Sequence, residues 1–467
     1  MPTLDRAQAQ AGAASPPGRQ FGSSAVLASL ALAGSFAALG LNSIFISRIE
    51  GADGAGLIAL STQFIFLATF VAGAGLRTSV TYRVGAGRWS PHSAVRGVLL
   101  ASLCLGTAGA AVGVGMWALL RNGAMSDFSL GMALALMCAL PFALAWWIVP
   151  AIPLARERFE TYAMLTVSGP AAVLLLCPVL ALIGGETGAV IGFAAGWAIG
   201  GVINALWAVR FARLPEARGG PEHGVREAGG FGARAWVNDL FQLINLRPDL
   251  FILSAYYGTA DTGVYAVTVS ITSLVWIVSQ PLASVVLPRN AMVFASSDPG
   301  LSPVIPEEKQ GAAVRHSVLV SAAAAILVIP ILALAPLVWG PDFDRTLGLG
   351  LILLPGVAML GVGRVMVAAF TGKGAANEAL FVGLVSFPLT FVAFLLVIPD
   401  HGTTGAAIVS CCSYIASSAL AAYLFLRTPG NSVRSTLIPR SEDLRDYVRL
   451  ARRGLDALAR KRSWASQ

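Results

Sequence analysis

The chain has 467 residues, 56% of them hydrophobic and 12% charged, with 32 Lys and Arg against 24 Asp and Glu for a formal net charge of +8. Soluble domains run at roughly 45–50% apolar and about 25% charged, so a mean hydropathy of +0.73 excludes a soluble domain and indicates a polytopic membrane protein. In such a protein a basic excess reports orientation, and no nucleic-acid partner is expected.

Residues 1–20 are polar and rich in Pro and Ala, lack the apolar core of a cleaved signal peptide, and read as a disordered cytoplasmic tail. Apolar runs near residues 23–46, 57–80, 98–119, 130–152, 164–183 and 189–209 then make an N-lobe over 21–211. A cytoplasmic linker over 212–231 leads to a C-lobe over 232–427, with runs near 235–255, 264–286, 318–338, 347–370, 379–398 and 406–426. Each run can cross a ~30 Å hydrocarbon core as a helix, so the expected fold is all-α with about 12 transmembrane helices. In the basic tail over 428–467, Leu444, Tyr447, Val448, Ala451, Leu455 and Leu458 recur at helical spacing among arginines. Such a helix lies on an anionic inner leaflet, a solvated tail being the alternative.

Charge sets the orientation. The outer loops carry Glu50, Asp53, Asp127, Glu186, Asp261, Asp342, Asp344 and Asp400, with Arg48, Arg121 and Arg345. Arg77, Arg247 and Arg364 lie in or at the edge of spans, and every other Lys and Arg falls in a segment that is cytoplasmic if the N-terminus is inside. This is the positive-inside pattern, and it places both termini in the cytoplasm with the chain in the inner membrane.

Catalytic signatures do not emerge. No G-x-x-x-x-G-K-[ST] occurs, and His92, His223, His316 and His401 are scattered over loops. Cys104, Cys138, Cys177, Cys411 and Cys412 sit in apolar runs at spacings that fit neither a disulfide framework nor a metal site, and read as packing residues. The expectation is a protein that is not an enzyme and holds no cofactor.

The chain repeats itself. Ser47, Gly51, Gly56 and Ala59 match Ser254, Gly258, Gly263 and Ala266 at an offset of 207 (258 − 51). Gly185, Thr187, Gly188, Ala189 and Ile191 match Gly402, Thr404, Gly405, Ala406 and Ile408 at an offset of 217 (402 − 185), the extra residues fitting a longer loop around SSDPGLSPVIPEEKQ. Six helices repeated once in parallel orientation are a transporter architecture. Gly188, Gly192, Gly196 and Gly200, extended by Asn204, form a smooth seam for close helix approach.

Polar residues inside the seventh run call for a role. Asn238, Gln242, Asn245 and Asp249 are spaced 4, 3 and 4 and share one helix face. Facing lipid they would cost several kcal/mol, so they face a cavity or another helix, the alternative being a static interhelical hydrogen-bond network. Asp239 adds a second carboxylate, Pro248 is suited to a kink, and Arg247 lies roughly opposite the stripe. Arg77 and Arg364 stand near the cytoplasmic end of their runs; each either snorkels or captures phosphate oxygens through its paired N–H groups.

The order of the motifs resembles a known family. GADGAGL followed by GAGLRTSVTYRVG resembles the start of a polysaccharide-biosynthesis flippase, and RPDLFILSAYYGTADTGVYAV…LPRNA its seventh and eighth helices. VWGPDFDRTLGLGLILLPGV and IPDHGTTGAAIVSCCSYIASSALAAYLFLR resemble its ninth-to-tenth turn and final helix, so the resemblance runs from about Phe21 to Arg427. The family is the Wzx-like branch of the multidrug/oligosaccharidyl-lipid/polysaccharide (MOP) exporter superfamily. The resemblance implies two lobes rocking around a central cavity and a polyprenyl-pyrophosphate-linked oligosaccharide as substrate. It also implies glycosyltransferases and a polymerase of the same pathway as partners alongside the lipid bilayer. Peptidoglycan-precursor flippases of that superfamily have more helices than are counted here. Arg77, Arg247, Asp249, Asn245, Gln242, Asn238 and Arg364 are the candidate substrate-binding residues. The alternatives are a cation-coupled multidrug exporter of the same superfamily, using acids such as Asp239 and Asp249, and a membrane glycosyltransferase or polymerase. The latter would need larger outer loops than this chain has.

Overall fold

The computed structural model describes residues 17–85, 88–213, 248–295, 307–372, 376–427, 432–440 and 442–443. Helices account for nearly all of them, and no strand occurs among the described residues. In chain order these are α1 (Pro17–Gly73), α2 (Leu76–Gly85), α3 (Pro91–Leu120), α4 (Leu130–Ile148), α5 (Ala151–Ala155) and α6 (Phe159–Ala212). They continue with α7 (Pro248–Ala295), α8 (Glu307–Ala333), α9 (Ala335–Val338), a 3-10 turn at Pro341–Phe343, α10 (Thr346–Gly372), α11 (Ala376–Leu426) and α12 (Val433–Thr436).

Several helices are too long to cross a membrane once. Straight, the 54 residues of α6 would span ~80 Å against a hydrocarbon core of ~30 Å. The chain instead reverses at glycine. Gly51 (φ 69, ψ −158), Gly185 (φ 59, ψ −147), Gly258 (φ 79, ψ −173) and Gly402 (φ 53, ψ −137) interrupt α1, α6, α7 and α11. That torsional region is open to glycine and strained for every other residue. Each of these helices is therefore a hairpin of two crossings. The paired glycines of the sequence repeat adopt paired conformations, so the repeat is one of backbone as well as of letters.

Contacts divide the chain into two units, Met1–Leu240 and Phe241–Gln467. The first holds six crossings: two in α1, one each in α3 and α4, and two in α6. The second holds six more: two in α7, the earlier described only from Pro248, one each in α8 and α10, and two in α11. The fold is all-α and polytopic, as expected. Outward-facing apolar side chains such as Leu119, Ile183, Leu327 and Leu389 are exposed, a cost water would impose and a bilayer would not.

The glycine seam packs within the first unit as expected. A Cβ on Gly192 would sit 2.7 Å from the Cys177 Cα, one on Gly196 2.5 Å from the Val173 Cα, and one on Gly200 2.5 Å from the Gly169 Cα. The fifth and sixth crossings thus touch backbone to backbone, and Asn204 extends the seam by donating to the carbonyls of Leu165 (3.2 Å) and Gly200 (2.8 Å). Cys177 is buried there and its thiol donates to the Ala189 carbonyl. Cys104, Cys138 and Cys412 depart from the packing expectation: they lie on exposed helix surface.

The second crossing holds an unforeseen break. Ala74 (φ 44) and Gly75 (φ 71) end α1 and start α2 as a separate short helix. The start of the basic tail packs on the second unit. Thr436 is buried, and Leu437 packs on a cluster that includes Val314, Met366 and Phe425. Asp443 is enclosed against Arg315, with Nε–Oδ2 at 2.8 Å and a second nitrogen at 3.2 Å from Oδ1. The Arg315 guanidinium holds the Asp443 carboxyl below its ordinary range. The amphipathic positions from Leu444 onward lie outside the described residues, as do the 1–16 part of the N-terminal tail and the linker from 214.

Candidate functional site

Arg77 occupies the first turn of α2, directly after the Ala74–Gly75 break. A continuous second helix would have carried it further along one axis; the break sets it instead on a new helix beside the fourth crossing. Its guanidinium carbon lies 4.0 Å from the Trp147 ring centroid, and Tyr162 of the fifth crossing is near enough to interact with it electrostatically. An indole thus covers one face of the cation, and the side chain is half-buried.

Arg364, on the tenth crossing, has the same setting. Its guanidinium carbon lies 4.0 Å from the Trp276 centroid, and Tyr414 of the twelfth crossing is near enough to interact electrostatically. Among the described residues no carboxylate pairs with Arg77 or Arg364. A half-buried cation without an anion carries a desolvation cost, and a cation–π contact offsets roughly 0.5–2 kcal/mol of it without cancelling the charge. Each guanidinium is therefore suited to receive an anion.

Asp249 stands apart from this arrangement. It is buried, and Tyr265 donates to its Oδ2 at 2.7 Å while also lying 2.9 Å from the Ser410 hydroxyl. The seventh, eighth and twelfth crossings meet at this triad. Asp249 is thus the one stripe residue among the described residues, and it hydrogen-bonds across helices. Asn238, Asp239, Gln242, Asn245 and Arg247 lie outside the described residues.

The two ends of the first unit differ in charge. Arg83, Arg88, Arg156, Arg158, Arg210 and Arg213 occupy the end where the second, fourth and sixth crossings finish; Glu50, Asp53, Asp127 and Glu186 occupy the other, with Arg48 and Arg121. Desolvation, then the charges of Asp53, Glu50 and Asp127, push the Glu186 carboxyl above its ordinary value.

Sequence reasoning missed Trp147, Trp276, Tyr162, Tyr265 and Ser410. Tryptophans in apolar runs look like core or interface residues, and only the fold shows which ones an arginine meets.

No family model matches this sequence, and no match was found among curated proteins. Solved structures do match. A lipid II flippase, MurJ, in an inward closed conformation aligns with a TM-score of 0.65 at 12% identity, covering 85% of this chain and 87% of that one. A multidrug resistance MATE family transporter of the MOP superfamily aligns in its outward-facing conformation with a TM-score of 0.60 at 14% identity, over 86% of this chain and 93% of that one. A multidrug resistance MATE family transporter in an inward-facing conformation gives 0.57 at 15% identity, over 84% of this chain and 93% of that one. At these identities the likeness is one of fold: the chain has the fold of the lipid II flippase and of the MATE transporters of the MOP superfamily.

Proposed function

We propose that the chain is a flippase that moves a polyprenyl-pyrophosphate-linked oligosaccharide across the cytoplasmic membrane for cell-surface polysaccharide assembly, by alternating access of its two units. The observation that supports this most is a pair of guanidiniums, Arg77 and Arg364, one in each unit, that have an indole and no carboxylate partner among the described residues. A diphosphate head offers the oxygens that guanidinium N–H groups bind in pairs, and the sugar cannot cross hydrocarbon unaided. Arg77 and Arg364 are the proposed head contacts, with Arg247, Asn245, Gln242 and Asn238 as further contacts on the seventh crossing. Asp249 serves by holding that crossing to Tyr265. Both termini are cytoplasmic in this proposal, the arginine-rich end of each unit facing inward.

A multidrug exporter is the second reading, favoured by the buried carboxylate of Asp249 and by the likeness to MATE transporters. Deleting the gene separates the two. A lost flippase leaves complete lipid-linked glycan stranded where an externally added glycan-degrading enzyme cannot reach it. A lost exporter leaves glycan normal and raises sensitivity to cationic dyes. Accessible, full-length lipid-linked glycan in the deletion strain would overturn the flippase proposal.

A further inference from the structure

Each unit seats one guanidinium on one indole at the same 4.0 Å separation, and the two pairs join equivalent crossings with their members exchanged. In the first unit the arginine is on the second crossing and the tryptophan on the fourth. In the second unit Trp276 is on the second crossing and Arg364 on the fourth. On the fourth crossing the exchange keeps register: 364 − 147 is 217, the offset that relates Gly185 to Gly402. Along their helices, Trp147 follows Leu130 by 17 residues and Arg364 follows Thr346 by 18, so both lie ~26 Å from the helix start. On the second crossing the register is looser, since the offset of 207 would match Arg77 to position 284 rather than 276. What both units keep is the contact itself, a cation held on an aromatic face toward the basic end. Packing alone would keep residue types in place; here the types trade helices and the pairing stays.

We infer that Trp147 and Trp276 are positioning residues, each holding its guanidinium, which no carboxylate among the described residues pairs with, where it binds a phosphoryl anion. This rests on the reading that Arg77 and Arg364 meet an anionic head. The ring quadrupole lowers the cost of enclosing the cation but leaves its charge intact, whereas a carboxylate would neutralise it. Against a ring face, the in-plane N–H groups stay free to bond outward, and paired N–H bonding to phosphate oxygens uses those groups. A lysine in the same place would be a point charge without that geometry.

A phosphoryl anion is common to a lipid-linked diphosphate and an anionic phospholipid headgroup, so the test has two arms. The full-length chain in phosphatidylcholine nanodiscs is titrated with radiolabelled geranylgeranyl diphosphate, and phosphatidylglycerol is then added as competitor. Trp147→Leu and Trp276→Leu should each weaken binding roughly tenfold, and the Phe replacements, which keep a ring face, should weaken it less. Combining Trp147→Leu with Arg77→Ala should bind no more weakly than Arg77→Ala alone, because the tryptophan acts through the arginine. If a Leu variant does not accumulate, the Phe variant read against wild type, alone and with Arg77→Ala, decides the same point. Wild-type affinity in the tryptophan variants with binding lost in the arginine variants would overturn the positioning role and leave the flippase proposal standing. Unchanged binding in every variant would overturn both. Displacement by phosphatidylglycerol at comparable concentration would keep the phosphoryl site and count against the flippase proposal alone.

Discussion

The two units share a backbone plan and differ in how their last two crossings meet. In the first, the fifth and sixth crossings meet along Gly188, Gly192, Gly196 and Gly200 with no space for a side chain. Trp146, Trp197, Phe66 and Phe193 pack against one another, with Trp146 and Trp197 centroids 4.5 Å apart. At the offset of 217 the second unit has Gly405, Val409, Ser413 and Ser417, so only the first glycine is kept. There Ser413 hydrogen-bonds Thr390 across the hairpin. Polar links recur elsewhere in the second unit: Tyr265 to Asp249 and Ser410, Arg345 to Asp261 at 2.6 Å, and Arg315 to Asp443. Shared turns and apolar runs thus fix the topology of a unit, while the contact between its last two crossings is free to be either a volume-limited glycine seam or one with polar links. The first should fail when volume is added, the second when a charge or partner is removed.

Adding volume to the seam should have the largest effect. Gly196→Val places a branched side chain where a Cβ already sits 2.5 Å from the Val173 backbone, beyond the ~1–3 kcal/mol typical of overpacking. Little monodisperse protein should survive solubilisation and size-exclusion chromatography, while Ser413→Val at the matching position should survive. Equal yields from the two would remove the distinction between the units.

Removing a charge from the second unit should come next. Asp443→Asn removes the charged acceptor of two Arg315 hydrogen bonds, a loss of roughly 1.5–3 kcal/mol. The Asp443 carboxyl is held below its ordinary value, so the pair stabilises fully above the unfolded carboxylate pKa of about 4 and is lost as pH falls through the lower folded value. Thermal stability of wild type and Asp443→Asn should differ by a constant amount above about pH 5 and converge in stronger acid. A constant gap down to pH 2 would show that the carboxylate charge is not what holds the tail.

The turn glycines sharpen the comparison within one unit. Alanine at Gly258 meets nothing within 4 Å and bears only the torsional penalty, whereas alanine at Gly402 also presses on the Tyr257 ring at 3.1 Å. Both should lose about 1–3 kcal/mol, Gly402→Ala more than Gly258→Ala, as read by melting temperature; the reverse order would mean that the contact with the Tyr257 ring adds no cost to the torsional one. The smallest change expected is from Ser413→Ala, about 0.6 kcal/mol for one interhelical hydrogen bond in a membrane protein. A melting shift as large as that of Asp443→Asn would place Ser413 in a wider network than its bond to Thr390.

Much of the fold was legible because it rests on local rules. Apolar length marks crossings, charge asymmetry marks ends, and the repeated glycines mark reversals that glycine alone makes without strain. The Gly188–Gly200 seam was readable for the same reason, its four-residue period placing every member on one face. The Ala74–Gly75 break was not read, although the sequence GAG around it held the signal, because isolated glycines in an apolar run are usually tolerated in helices. The site was legible only in part. Arg77 and Arg364 stood out as charges in apolar runs, but their tryptophan partners are 70 and 88 residues away in sequence (147 − 77 and 364 − 276), and periodicity along one helix says nothing of such contacts. Asp249 was found by the same rule and its neighbours Tyr265 and Ser410 were not, since a buried triad from three crossings leaves no pattern on any of them.

The most direct test of the central claim is reconstitution. Purified chain in phosphatidylcholine vesicles would be given a polyprenyl-diphosphate-linked oligosaccharide, with time-resolved accessibility of the glycan to an external glycan-degrading enzyme as the readout. The account predicts that wild-type protein makes the inner-leaflet pool accessible, and that the Arg77→Ala, Arg364→Ala double variant, equally folded and equally incorporated, leaves it protected as in protein-free vesicles. A double variant that exposes the glycan as fast as wild type, or a wild type that exposes none, would contradict it.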